Sequence, residues 1–252
     1  MSSFVKYANQ AMFDQLVDSL MNQDGLSIEE ASQQSQEMIA DEYDMSKLYI
    51  YRDSQQYQIK NNVQRSCATL SKAAQGTETF VNANFGLQGL LQILKAEQGT
   101  FKLLESYKVM SSLILLLSVT DKEDDNNEMI GEDEDDEDDD EDDRKFQTIR
   151  CLDTLQFICI EIIKNPQLLF SHLDFFSIGE ENIDILLKRL DEDMGDEEIA
   201  IKMIEFLLII MSFESNKNIF KDKGGIDILE LTVKMNKKNQ FITDAVDKIK
   251  SI

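Results

Sequence analysis

Apolar residues recur at three- and four-residue intervals along most of the chain, the spacing that lays one face of a helix against a core. From Ala11 to Met21 the pattern puts Met12, Phe13, Leu16, Val17, Leu20 and Met21 on one side. Asn22–Gly25 breaks it, and Ser27 followed by Glu30 makes a capping box that opens a second helix, running through Ala31 and Met38 to about Tyr43. Ser54–Ala74 carries Val63, Cys67 and Leu70 on one stripe. A short helix is then expected near Thr79–Val81, and an apolar one from Gly86 to Leu94. Gly99 interrupts the pattern before Phe101–Val119, a run so apolar around its circumference that neighbours must cover it on several sides. Past residues 121–143 the periodicity resumes in Arg144–Lys164 and stops at Asn165-Pro166, with proline suited to the first turn of a helix over Gln167–Phe176. Ile183–Leu190, Asp196–Phe213, Asn216–Phe220, Ile226–Met235 and Asn239–Ile252 complete the series, and the amphipathic last helix suits the end of a stack.

One phrase is said twice. Ile183-Asp184-Ile185-Leu186 returns 43 residues later as Ile226-Asp227-Ile228-Leu229, and a looser copy stands upstream in Gly86–Leu94. A period of that length built only from helices is the signature of armadillo or HEAT stacking. The expected fold is therefore all-α, an armadillo/HEAT-like α-solenoid winding as a right-handed superhelix over residues 49–252, preceded by an N-terminal helical segment, 1–48.

Composition sharpens this. Pro166 is the only proline, where average usage of about 5% would give roughly a dozen, and long uninterrupted helices tolerate such scarcity better than sandwiches or barrels do. The formal charge is −24, of which seventeen acidic residues and one lysine between Asp121 and Asp143 supply −16. Glu132–Asp143 is acidic at every position. A segment so charged buries too little apolar surface to offset the entropy of ordering it, so 121–143 is expected to be a disordered loop inserted in the array. The charge disfavours nucleic acid and anionic membranes as partners and leaves basic proteins open. Cys67, Cys151 and Cys159 sit among apolar residues at neither metal nor redox spacing, as reduced core thiols do. No secretory signal is seen at the N-terminus, and the apolar runs Leu113–Leu117 and Phe206–Met211 are short of the ~20 residues that span a bilayer. A soluble protein of the cytoplasm or nucleus is expected.

Phe13-Asp14, Val17, Met21, Glu29-Glu30-Ala31 and Asp44-Met45-Ser46-Lys47-Leu48 resemble the N-terminal segment of armadillo-repeat-containing protein 6 relatives. The resemblance covers about the first 48 residues and implies an armadillo array behind them. Armadillo arrays recruit partners along a groove lined by their third helices. Read as third helices, Phe101–Val119 keeps a polar stripe of Lys102, Glu105 and Ser112; Arg144–Lys164 keeps Gln147, Arg150, Thr154 and Glu161; Asp196–Phe213 keeps Glu198, Lys202, Glu205 and Ser212. Helical spacing makes each stripe contiguous, although any outer helix face is polar, so the stripes mark a surface rather than individual contacts.

Nothing in the sequence demands chemistry. His172, the only histidine, has no nucleophile or orienting acid assigned beside it, and Gly224-Gly225 lacks the Lys-Ser/Thr of a phosphate loop. Asp121, Glu123, Asp125 and Glu132 fall at calcium-loop positions, but Asn126 replaces the turn glycine; Asp191, Asp193 and Gly195 fail because the glycine comes one place early and Lys202 holds the twelfth position. No cofactor, metal or catalytic residue is expected. The leading function is a non-enzymatic adaptor binding a partner protein along the groove; the alternatives are a nucleotide-exchange-type chaperone cofactor and a structural subunit of a larger assembly. The acidic segment either docks a basic partner or is a solubilising tether.

Overall fold

The computed structural model describes residues 6–118, 137–165, 169 and 173–251. Among the described residues the protein is helical, with no strand beyond an isolated bridge between Tyr7 and Asp44. The first pair is α1 (Gln10–Gln23) and α2 (Ile28–Ile39), and the capping box of Ser27 and Glu30 is formed in both directions. An extended segment leads to α3 (Ser54–Ala74), capped by Asp53, and α4 (Phe80–Ala96), capped by Thr79. Next come α5 (Phe101–Ser106), α6 (Val109–Leu116) and α7 (Glu137–Lys164). A 3-10 turn at Leu173–Phe176 precedes α8 (Gly179–Glu192) and α9 (Glu197–Ile210), and α10 (Glu214–Asp222), α11 (Gly225–Met235) and α12 (Gln240–Ser251) end the described chain.

Three elements differ from the sequence expectation. The break expected before Gly86 is absent, since α4 runs unbroken through Gly86 and Gly89. Gly86 lies against α3, where a Cβ would meet the Ser66 carbonyl oxygen at 3.4 Å and the Leu70 side chain at 3.5 Å, ordinary van der Waals contact. The single helix expected over Phe101–Val119 is two, parted by Lys108 in the left-handed conformation at φ 50°. The split resolves a packing conflict. One straight helix apolar all round would need cover on every side, whereas two short ones each bury a stripe, Leu103 and Leu104 in α5, Val109, Met110, Leu113 and Ile114 in α6. Finally, Glu137–Asp143, expected in the loop, belong to α7 and open its described part. Carboxylates suit the positive end of a helix dipole, and the apolar register from Phe146 onward extends the helix back into them. The rest of that acidic run, and half of the residues of the helix expected over Gln167–Phe176, lie outside the described residues, while Leu173–Phe176 of that stretch form the 3-10 turn.

The helices pack in two rows. α3, α6, α8 and α11 lie each against the next, and so do α4, α7, α9 and α12; the rows meet where α3 faces α4, α6 faces α7, α8 faces α9 and α11 faces α12. The repeated phrase falls on α8 and α11, equivalent members of the first row, with Ile183, Leu186 and Leu229 buried. The looser copy in Gly86–Leu94 lies on α4 and belongs to the second row. Side chains tie successive helical modules at a nearly constant sequence offset. The Asn216 amide donates to the Phe176 carbonyl, Lys223 to Asp184, Asn236 to the Met194 carbonyl and Asn239 to Glu197, at separations of 39 to 42 residues. One core cluster runs from Ala8 to Ile249 and includes Leu48, Tyr49 and Tyr51 of the extended segment.

Candidate functional site

The second row presents a continuous outer face. On α4, Val81, Phe85, Gln88, Gln92 and Lys95 alternate at four- and three-residue steps and are all exposed, while Ala83, Leu87, Leu90 and Leu94 point inward. On α7 the outward positions are Phe146, Arg150, Asp153, Phe157 and Ile160, and on α9 they are Glu198, Lys202 and Glu205. Polar bridges hold the helices in register. Lys95 lies over the Phe157 ring at 5.4 Å. Lys202 reaches Asp153 at 2.8 Å, and the Gln156 amide donates to the Lys202 carbonyl at 2.8 Å. Lys145 pairs with Asp196 at 2.8 Å and Glu198 at 3.4 Å, and Asn239 donates to Glu197 at 2.7 Å, carrying the ladder on to α12. The hydrogen bond to Asp153, helped by the charges of Asp153, Glu205 and Glu198, holds the Lys202 ammonium above its ordinary pKa. Between α4 and α7 the face sinks into an open cavity of about 350 Å³ lined by Leu87, Gln88, Leu91, Gln92, Lys95, Arg150 and Asp153.

The sequence-derived stripes distribute unevenly over this face. Glu198, Lys202 and Glu205 lie on it. Ser212 lies past the end of α9, in a turn where its hydroxyl donates to the Ile209 carbonyl. Arg150 lies on it with its guanidinium 4.3 Å from the Phe146 ring centre, and half-buried Glu161 pairs with Lys164 at 2.8 Å. Gln147 and Thr154 do not: they are 3% and 0% exposed, and the Thr154 hydroxyl donates to the Arg150 carbonyl inside its own helix. Lys102 and Glu105 are on α5 and Ser112 on α6, outside the row that carries the other two stripes. Glu105 pairs with Lys47 at 3.4 Å, and burial lowers the Lys102 pKa. The error came from taking Phe101–Val119 as a third helix. Its place in the row is held by α4, whose Val81, Phe85, Gln88, Gln92 and Lys95 were missed, as were Phe146 and Asp153. Counting outward positions in threes and fours from the cap at Thr79 recovers the α4 set.

A second polar concentration lies on the flank. A cavity of about 410 Å³ is lined by Arg144, Lys145, Arg189, Glu192, Asp193, Asp196 and their neighbours. Arg189 is buried; its guanidinium donates to the Thr148 hydroxyl at 2.9 Å, and its Nε stands 2.5 Å from an Asp193 oxygen without the alignment of a hydrogen bond. That contact is a charge pair rather than a directed bond. Burial lowers the Arg189 pKa and raises that of Asp193, each opposed by the other's charge. The charges of this cluster neutralise one another, so it serves as a joint between α7 and α8.

Among the described residues no group of three His, Cys, Asp or Glu side chains is placed to hold a metal ion, and no helix is long and apolar enough to cross a membrane. Asp193 of the second calcium-like stretch is taken by Arg189, while the first such stretch and His172 lie outside the described residues. Cys67, Cys151 and Cys159 are buried and unbonded to one another; burial pushes all three thiols up, Cys67 to about 12, which leaves them unreactive at neutral pH. No family model, curated protein or solved structure matches the chain.

Proposed function

We propose that the chain is an armadillo-like α-solenoid that acts as a non-enzymatic adaptor, binding a partner protein along the face of α4, α7, α9 and α12. The observation that carries this reading is the continuity of that face over α4, α7 and α9, with side-chain bridges holding these helices and α12 in register. The repetition supports the solenoid: short helices α5 and α10 precede α6–α7 and α11–α12 in the same order, and side-chain bonds recur at about 40 residues. Stacked repeats of this kind supply long binding surfaces. Buried, protonated thiols suit the reducing cytoplasm or nucleus.

Affinity capture from the native cell tests the reading with three forms of the full chain. One is wild type, one carries Gln88→Arg, Gln92→Arg and Glu205→Arg on the face, and one carries Glu181→Lys and Asp191→Lys on exposed positions of α8. The wild type and the α8 form should recover the same partners and the face form should lose them. Recovery of an unchanged set by the face form would end the adaptor reading.

A further inference from the structure

An apolar patch stands at one end of the polar face. Val81 and Phe85, one turn apart on α4, are 62% and 67% exposed, and Phe146 on α7 is 48% exposed. Their levels can be compared through the contacts between the two helices. Gln88 and Arg150 line the same cavity, and further along Lys95 lies over Phe157, so α4 and α7 run in the same direction with Gln88 level with Arg150. One turn back along each helix are Phe85 and Phe146, which places the two rings at the same height on neighbouring helices. Folding does not call for them there, because α4 already buries Ala83, Leu87, Leu90 and Leu94. Clustered exposed apolar side chains with a polar rim are the mark of an interaction site.

Charge selects the occupant. On α7 ahead of Phe146 stand Arg144 and Lys145, paired with Glu192 and with Asp196 and Glu198, and before them Glu137–Asp143, acidic at all seven positions. At a rise of about 1.5 Å per residue these lie about 4 to 14 Å along the axis from Phe146. So dense a negative field beside an apolar patch repels phosphates and acidic peptides and attracts lysine and arginine.

We propose that Val81, Phe85 and Phe146 dock a basic amphipathic segment of a partner protein, whose apolar side chains cover the patch while its lysines or arginines face the acidic stretch of α7. The proposal rests on the adaptor reading and fixes one anchor of that interaction.

The test titrates the full chain with a fluorescent synthetic helix of leucine and lysine, with a counterpart in which serine replaces leucine at equal charge, and with one in which glutamate replaces lysine. A second protein carries Phe85→Ser and Phe146→Ser; both positions are exposed, and circular dichroism verifies its fold. The leucine-lysine peptide should bind the wild type at about 0.15 M salt and weaken as salt rises. It should lose at least about tenfold in affinity on the double variant, the loss expected when central aromatic anchors go. The serine counterpart should weaken comparably, and the glutamate counterpart should not bind. Equal affinity of the leucine-lysine peptide for both proteins, or equal affinity of the serine counterpart, would reduce the effect to charge and overturn the proposal. So would self-association of the wild type that the double variant abolishes, since the occupant would then be a second copy. If capture from the cell depends on Gln88, Gln92 and Glu205 but not on Phe85 and Phe146, the adaptor reading stands and this anchor falls.

Discussion

The two ends of the molecule are joined to the stack by opposite means. At the N-terminal end, α1 and α3 meet over a buried ion pair: Asp14 lies 3.6 Å from Lys60, accepts from the Gln10 amide at 2.9 Å and from the Tyr51 hydroxyl at 3.2 Å. The Lys60 ammonium also lies over the Tyr57 and Tyr51 rings at 4.7 and 5.6 Å, and Gln10 pairs with both backbone groups of Tyr49. At the C-terminal end the buried joints are neutral, and the charged ones, such as Lys223 with Asp184, lie at the surface. Asn216 donates to the Phe176 and Ile210 carbonyls and accepts from the Ile178 N–H, Asn236 donates to the Met194 carbonyl, and Phe176 stacks on Phe213 with ring centres 4.4 Å apart. A neutral amide that satisfies backbone groups can be reused from one helical module to the next. A buried charge pair carries a desolvation cost and secures one particular attachment.

Removing one partner of the N-terminal pair should have the largest effect. Lys60→Met leaves Asp14 buried without its counter-charge and should cost about 3–5 kcal/mol in urea denaturation at pH 7. Combining it with Asp14→Leu should recover most of that loss; a double variant as unstable as the single one would show that the pair is not the joint. The C-terminal counterpart is milder. Asn216→Ala removes the partner of the Phe176 carbonyl and of the Ile178 N–H, leaves the Ile210 carbonyl with the Phe213 N–H alone, and should cost about 2–3 kcal/mol by the same measurement. A cost as large as that of Lys60→Met would erase the contrast between charged and neutral joints.

A Cβ on Gly225 would come 2.5 Å from the Phe220 ring, so Gly225→Ala should destabilise by about 1–3 kcal/mol. Gly86, inside α4 with its nearest neighbour at 3.4 Å, has room for a methyl group, and Gly86→Ala should gain about 0.5–1 kcal/mol in thermal unfolding through helix propensity.

The smallest effect is in pH dependence, and its sign differs between Asp14 of the N-terminal joint and Asp196, the cap of α9. Burial raises Asp14 above its ordinary 3.8, against the pull of Gln10, Lys60 and Tyr51. The folded chain therefore holds that proton more tightly, and the associated stability, complete below 3.8, is lost as pH rises through the folded pKa. Burial also raises Asp196, but hydrogen bonds from Lys145 and from the N–H groups of Ile199 and Glu198, with the Lys145 charge, outweigh it and hold the group below 3.8. Its stability is present above 3.8 and lost as pH falls through the folded pKa. Relative to wild type, Asp14→Asn should gain stability as pH rises above 3.8, whereas Asp196→Asn should gain as pH falls below it. Denaturation series from pH 2.5 to about 6 that slope the same way for both variants would contradict the assignment.

Helix existence was legible wherever one apolar stripe repeated cleanly, as in Ser54–Ala74, whose limits agree with the structure, and at the reciprocal cap of Ser27 and Glu30. Legibility failed where the pattern was saturated. In Phe101–Val119 twelve of nineteen residues are apolar and they fall on every side, so periodicity could not reveal the turn at Lys108, and that one miss displaced the row assignment. It also moved the candidate face from α4 onto α5 and α6; Gln147 and Thr154 failed separately, because a polar side chain on α7 was taken to face outward and both are buried.

The sequence alone determined that the chain is helical, where most helices lie, and that an intensely acidic segment interrupts them, because apolar period, caps and charge are local properties. Which helices share a row, which glycine is a contact rather than a break, and whether a polar side chain such as Gln147 faces solvent or core were decided only by tertiary packing. Those outcomes depend on neighbours about 40 residues away in sequence, whose approach no local pattern records.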